Sequence, residues 1–380
     1  MTTPEPVCRV AAAEPCRLEV PKPKPNPDPG PPGYRFTGRF DQRDAAAPVA
    51  HWPGLQVHAR FNGTEVWLDA EELVQSWMQG GPSEWDVDID GVTRSKLVMQ
   101  LGRHSYRLAG GLAPGEHSVT LFRRSESQTG ATRFFGLSFG TGRLLAPPPA
   151  RERRIEIVGD SASSGFGIEG VGLGPDCPGP DWAARYLNFR RAWGSVLGEL
   201  VDADVSAAVH SGKGIARNIV SSDTLTLTLI YPRTDPLDRN SVVPGSAFEP
   251  HTILLMTGGI DLGGVTDGGA PMTSSELADV INGFVELLRT THPVANIVLV
   301  LSPTVPDRPA QNLYTRTTIR AAMGEVRDTR VASGDTRVYF AEPGEAVPSE
   351  ITACNGHGSP ELHERIAREL LPLVKSINGW

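Results

Sequence analysis

The 380-residue chain is longer than the roughly 250–300 residues at which single hydrophobic cores stop growing, so two domains are expected. A formal net charge of -8 supplies no basic surface, which excludes nucleic acid and anionic membranes as expected partners. With 39% hydrophobic residues, 41 glycines and 33 prolines, the composition supports sizeable cores in turn-rich β structure and excludes a mostly helical bundle.

Residues 1–33 carry prolines at every second position from Pro21 to Pro29, a pattern that predicts a solvated, disordered arm. Residues 34–147 alternate with period two, as in Leu55, Val57, Ala59 and Phe61. A second such run, Trp85, Val87 and Ile89, leads into the hairpin signal Asp90 and Gly91, and a β-sandwich is predicted. Within it, Leu73, Val74, Trp77 and Met78 fall at helical spacing before Gly80 and Gly81, so a short inserted helix is expected over 68–78. Three prolines at 147–149 form a stiff linker.

From 152 to 380 the period changes. Short apolar runs at 155–158, 205–209, 253–256, 297–301 and 338–340 alternate with helical segments, which predicts an α/β domain with a parallel sheet. A helix over 275–290 opens on the capping box Thr273 and Glu276 and lines up Leu277, Ile281, Phe284 and Leu288. The last helix takes Ser359 as cap and Pro360 as first residue, and buries Leu362, Ile366, Leu370 and Val374.

No apolar run approaches the roughly 18 residues of a membrane span, and the chain as given starts without a signal-like stretch. A soluble, cytoplasmic protein is expected. The four cysteines, Cys8, Cys16, Cys177 and Cys354, match no zinc spacing. Cys8 and Cys16 could close a small loop in an oxidising compartment, but free thiols are the expectation.

The first strand of the α/β domain ends in Gly159, Asp160 and Ser161, and open parallel sheets bind ligands at that edge. A helix starting there offers backbone N–H groups to a developing oxyanion. A nucleophilic serine needs a base, and His357 precedes the final helix where a loop can reach the same edge. Between them, Ser211, Gly212, Lys213 and Gly214 follow a strand and expose further N–H donors, and Gly258, Gly259, Ile260 and Asp261 follow another.

These blocks, in this order, resemble the SGNH (GDSL-type) hydrolases, and most closely the family two carbohydrate esterases. The segment Tyr231, Pro232, Arg233 and Thr234 adds to the likeness, as do the features of 34–147, which resemble the jelly-roll-like β-sandwich of that family. The resemblance implies a three-layer α/β/α SGNH domain behind a β-sandwich. It implies Ser161 as nucleophile and His357 as general base, with the N–H groups of Ser161 and Gly212 as oxyanion donors. An acyl-enzyme would form and water would release it, with no metal or organic cofactor.

Two positions depart from the family pattern. Ile260 stands where the family has an oxyanion-binding Asn, and Asn355 stands where an Asp orients the histidine. Elsewhere, loss of one oxyanion donor costs about 100- to 1000-fold, and loss of the triad carboxylate about 10,000-fold. A backbone carbonyl can take over the second role, and Asn355 can offer its amide oxygen.

Around the nucleophile, Asp160, Lys213, Ile260, Asp261 and Trp182 are expected as positioning or substrate-contacting residues. Asp261 reads as a cap on its loop. Lys213 and Arg217 read as solvated, with anion binding as the alternative. Trp182 suits stacking on a sugar face, whereas Trp193 falls on a core face. The expected function is a serine-dependent acyl-ester hydrolase acting on an acylated small molecule, glycoside or peptide. An acyltransferase or ring-closing enzyme on the same scaffold, and a ligand-binding protein that has lost catalysis, stand as alternatives.

Overall fold

Alternating buried and exposed side chains shape the first half of the chain as antiparallel strands. The computed structural model describes residues 33–74, 80–180, 182–244, 248–263 and 272–380. The expected proline-rich arm lies outside the described residues except for Gly33, and so does most of 74–78.

In chain order the first strands are β1 (Tyr34–Thr37), β2 (Val49–Ala50), β3 (Gln56–Asn62), β4 (Glu65–Leu73) and β5 (Glu84–Ile89). They continue with β6 (Val92–Val98), β7 (Gly102–Gly110), β8 (Glu116–Arg123), β9 (Ala131–Ser138) and β10 (Arg143–Leu144). One sheet runs β1-β3-β8-β5-β6 with β10 beside β3, and the other runs β2-β9-β4-β7. Between them lie Trp52, Leu55, Val57, Phe61, Trp85 and Val87, all buried.

The hairpin expected at Asp90 and Gly91 joins β5 to β6. Both residues have positive φ, 54° and 74°, as a tight turn between twisted strands requires. The helix expected over 68–78 is a correction, because residues through Leu73 belong to β4. Val66, Leu68, Ala70 and Glu72 alternate inward along that strand. β4 pairs with β7 on one side and β9 on the other. Hydrogen bonding on both edges outweighs a helical spacing that rested on only four residues.

The second half is a parallel sheet. Its strands are β11 (Arg153–Gly159), β12 (Ala203–Val209), β13 (Thr252–Met256), β14 (Asn296–Val300) and β15 (Val338–Ala341), in the order β12-β11-β13-β14-β15. The described helices are α1 (Ser161–Ser164), α2 (Trp193–Leu200), α3 (Leu227–Ile230), α4 (Gly259–Gly263), α5 (Ser274–Thr291), α6 (Thr315–Ala332) and α7 (Pro360–Asn378). α5 and α6 cover one face of the sheet, and α2 and α7 cover the other. Strands β12, β13 and β14 are buried along their whole length, which explains their continuous apolar runs.

The capping box of α5 forms as the sequence predicts, and Ser359 caps α7 through the Leu362 N–H. Leu362, Ile366, Leu370 and Val374 of α7 are buried, and each contributes about 1.5–3 kcal/mol of burial. Buried polar contacts join the two halves. Arg35 pairs with Asp204 at 2.9 Å and Arg39 with Glu156 at 2.8 Å. The Tyr231 hydroxyl donates to the second oxygen of Glu156 at 2.8 Å.

Candidate active site

β11 sits inside the sheet, with β12 paired on one side and β13 on the other. The chain crosses first to one side and then to the other, which opens a crevice at the C-terminal ends of these strands. Ser161 stands in this crevice as the first residue of α1. Asp160 caps that turn, its side chain accepting the Ala162 N–H at 2.9 Å. Close approach explains the glycine before it: a Cβ on Gly159 would lie 2.5 Å from the Met256 carbonyl oxygen.

The turn after β12 brings Ser211 and Gly212 beside Ser161. Gly212 has φ 76°, a conformation that favours glycine. Ile260, on α4 after β13, closes another side, and Ser161, Ile219, Ile260 and His357 line two adjoining cavities in common. The larger has a volume of about 780 Å³ and the smaller about 260 Å³.

His357 arrives from the segment before α7. Its Nδ1 lies 3.0 Å from the Cys354 carbonyl oxygen, so an Nδ1–H donated there leaves Nε2 as the basic nitrogen. The Phe166 ring packs against the imidazole with centroids 4.6 Å apart. Asn355 lies on the wall of the larger cavity. It has φ 53°, and its backbone N–H donates to the Pro175 carbonyl at 2.7 Å.

Cys354 is bonded to Cys177, which corrects the expectation of free thiols for this pair. The two are 177 residues apart in sequence, and no spacing rule connects them. The fold does so by laying 353–356 against 167–175, where the Cys354 N–H donates to the Gly167 carbonyl and the Asn355 N–H to Pro175. Cys8 and Cys16 lie outside the described residues.

Three acidic side chains lie around the Ser161 turn. Asp160 is buried, and that burial, with the Asp261 and Glu126 charges, pushes its carboxyl up to about 7. Asp261 is buried and accepts the N–H groups of Ile215 at 3.2 Å, Ala216 at 2.8 Å and Arg217 at 3.1 Å. It therefore ties the end of the Gly212 loop to the start of α4. Burial also raises its pKa above the usual carboxylate range.

Glu126 was not legible as a site residue. It follows β8 in the antiparallel half, yet its carboxylate accepts the Ser164 hydroxyl at 2.8 Å and the Ser211 hydroxyl and N–H at 2.6 Å each. Gln128, two residues on, lines the larger cavity. The available signal was the run Arg123, Arg124, Ser125 and Glu126, four polar residues at the end of an apolar strand. All four are buried.

Lys213 differs from its expected solvated role. It is 7% exposed and forms an ion pair with Asp223 on the cavity wall. Burial, partly offset by Asp223, lowers its pKa below the usual lysine value. Trp182 is 42% exposed and lies on the same wall, whereas Trp193 is buried in the core under α7. Among the described residues, no group of three or more His, Cys, Asp or Glu is placed to hold a metal ion. No described helix is long and apolar enough to cross a membrane.

With this geometry in place, the likeness to known proteins becomes specific. Residues 36–149 match the family described as carbohydrate esterase 2 N-terminal. The chain is 25% identical over 349 residues to the cellulase/esterase CelE of Acetivibrio thermocellus, covering 92% of this chain and 40% of that protein. It is 24% identical over 357 residues to an acetylxylan esterase / glucomannan deacetylase of Cellvibrio japonicus, covering 92% of this chain and 90% of that protein. Both relatives are named esterases.

In structure the chain superposes on a family two carbohydrate esterase from Clostridium thermocellum solved with cellohexaose. The TM-score is 0.81 at 24% identity, over 92% of this chain and all of that one. The antiparallel sheets followed by a parallel-sheet α/β domain are thus the fold of that carbohydrate esterase.

Proposed function

We propose that the chain is a serine esterase in which Ser161 and His357 form the reacting pair. The observation that carries this reading is their convergence on the same two cavities, with Nδ1 of His357 committed to the Cys354 carbonyl. Ser161 Oγ attacks the acyl carbonyl carbon while Nε2 of His357 takes the hydroxyl proton. The tetrahedral oxyanion is met by the N–H groups of Ser161 and Gly212. Collapse breaks the bond to the alcohol, which leaves with the proton from His357. Water then attacks the acyl-enzyme by the same route and releases the acid.

The backbone carbonyl of Cys354 fixes the imidazole tautomer, the role that a triad carboxylate has elsewhere. It carries no full charge, so it stabilises imidazolium less than a carboxylate does. Ile260 contributes no donor to the oxyanion. A slow or specialised hydrolase fits this set better than a general deacetylase. Acylated glycosides are the substrate class supported by the relatives' names. The sandwich over 34–147 then serves as a clamp on the 152–380 domain, since Glu126 and Gln128 reach the site from it. The Cys177–Cys354 bond supports work in an oxidising compartment.

Rapid mixing with a p-nitrophenyl ester tests the mechanism. A burst approaching one p-nitrophenol per chain, with the acyl group recovered on the Ser161 peptide, is expected. A binding-only reading is favoured by Ile260 alone, and it predicts neither burst nor acylated peptide.

A further inference from the structure

The larger cavity beside Ser161 is far bigger than an acetyl group, and aliphatic side chains cluster along part of its wall. Its volume of about 780 Å³ falls in the roughly 300–1,000 Å³ range of sites that enclose ligands of drug size. Ile219, Val220, Leu225, Pro236, Leu237 and Ile260 supply these walls. Val220 is 54% exposed and Leu237 39% exposed, so both present apolar surface that a ligand in the cavity can cover.

Several polar groups on the same wall are engaged with neighbours. Lys213 and Asp223 neutralise each other. Ser211 is held by Glu126 through both its hydroxyl and its N–H. Burial, together with the Lys213 charge, pushes the His210 imidazole down to about 4, so it is uncharged near neutral pH. The smaller cavity has a different character, with Thr257, Ser302 and Thr304 among its lining residues. A sugar would ask for hydroxyl partners, and beyond Gln128 and Asn355 the larger cavity offers few.

The geometry points to a substrate ester that carries an apolar group of at least several carbons, held in the 780 Å³ cavity against Ile219, Val220, Leu225 and Leu237. The group on the other side of the ester lies towards the smaller cavity. This rests on the reading of Ser161 as nucleophile and adds the class of substrate to it. Either the acyl or the alcohol half of an ester can carry the apolar group, and both present the same chemistry to these walls.

Two substrate series separate these sources, using the full chain. In one, p-nitrophenyl esters run from acetate to decanoate; in the other, acetate esters run from methyl to hexyl alcohol. Each methylene moved from water to an apolar wall is worth up to about four-fold, which corresponds to about 0.8 kcal/mol. A rise in kcat/KM of at least roughly tenfold over four added methylenes is therefore expected in one series, and that series identifies the half that enters the cavity. The double variant Val220→Asn with Leu237→Asn should reduce the long-to-short ratio several-fold.

A flat or acetate-preferring profile in both series, with Ser161 still labelled by a methyl fluorophosphonate, overturns this inference and leaves the nucleophile standing. An unchanged ratio in the double variant overturns it equally. Absence of both hydrolysis and labelling in folded protein removes the esterase reading and this inference together.

Discussion

Glu126 accepts the backbone N–H and the hydroxyl of Ser211 at 2.6 Å each, so a carboxylate from the antiparallel half holds the residue next to Gly212. The Gly212 N–H is a proposed oxyanion donor, and small displacements of such donors are costly. In Glu126→Gln the amide oxygen can keep the Ser211 N–H, but the NH2 group then forces the Ser164 and Ser211 hydroxyls to turn and accept. A loss of about 10- to 100-fold in kcat, with a smaller change in KM, is expected from steady-state kinetics. Wild-type kcat in a folded Glu126→Gln protein would show that this clamp is structural alone.

Asp261 accepts backbone N–H groups from Ile215, Ala216 and Arg217. Asp261→Ala leaves these donors without that acceptor in a largely buried place, and each unsatisfied group costs about 1–3 kcal/mol. A stability loss of at least about 2 kcal/mol, seen as a lower denaturation midpoint at unchanged slope, is expected. Asp261→Asn keeps one oxygen and should lose less.

The Cys177–Cys354 bond anchors the segment that supplies the carbonyl to His357. Removal of a native disulfide from a small secreted domain typically costs about 2–5 kcal/mol. Cys177→Ser should lower Tm and depress turnover more than it depresses binding, because the imidazole loses its fixed partner. Thermal melts and kinetics with and without reductant check this, and superimposable results in both would contradict it.

Asp160 titrates in the folded protein at about 7, against an ordinary 3.8. The folded state therefore binds more protons than the unfolded one between these values, and stability falls as pH rises through that window. The contribution is fully present below pH 3.8 and lost above about 7. Asp160→Asn retains an oxygen for the Ala162 N–H without the buried charge. It should be more stable than wild type at pH 8, by on the order of 1 kcal/mol, and the advantage should vanish near pH 4. Urea denaturation at the two pH values measures the difference.

Much of this architecture was legible because it rests on local patterns. The period-two runs of β3 and β5, the turn at Asp90 and Gly91, the capping box of α5, the Ser359 cap of α7 and the apolar stripes of both helices are short-range signals. Ser161, Gly212, Ile260 and His357 were legible as motif blocks at the ends of elements, and the fold brings all four to the wall of the larger cavity. Residues 68–73 misled because a few residues at helical spacing carry less information than pairing on both strand edges. The Cys177–Cys354 bond, the buried Lys213–Asp223 pair and the reach of Glu126 depend on which loops meet in space. Composition and spacing do not encode that directly.

The central claim is that Ser161 is activated by His357. Intact-mass analysis after reaction with a fluorophosphonate probe tests it most directly, comparing wild type with Ser161→Ala and His357→Ala. One adduct on the wild-type chain, none on Ser161→Ala and much slower labelling of His357→Ala are expected. Folded wild-type protein that takes up no probe, or an adduct that persists in Ser161→Ala, would contradict the account.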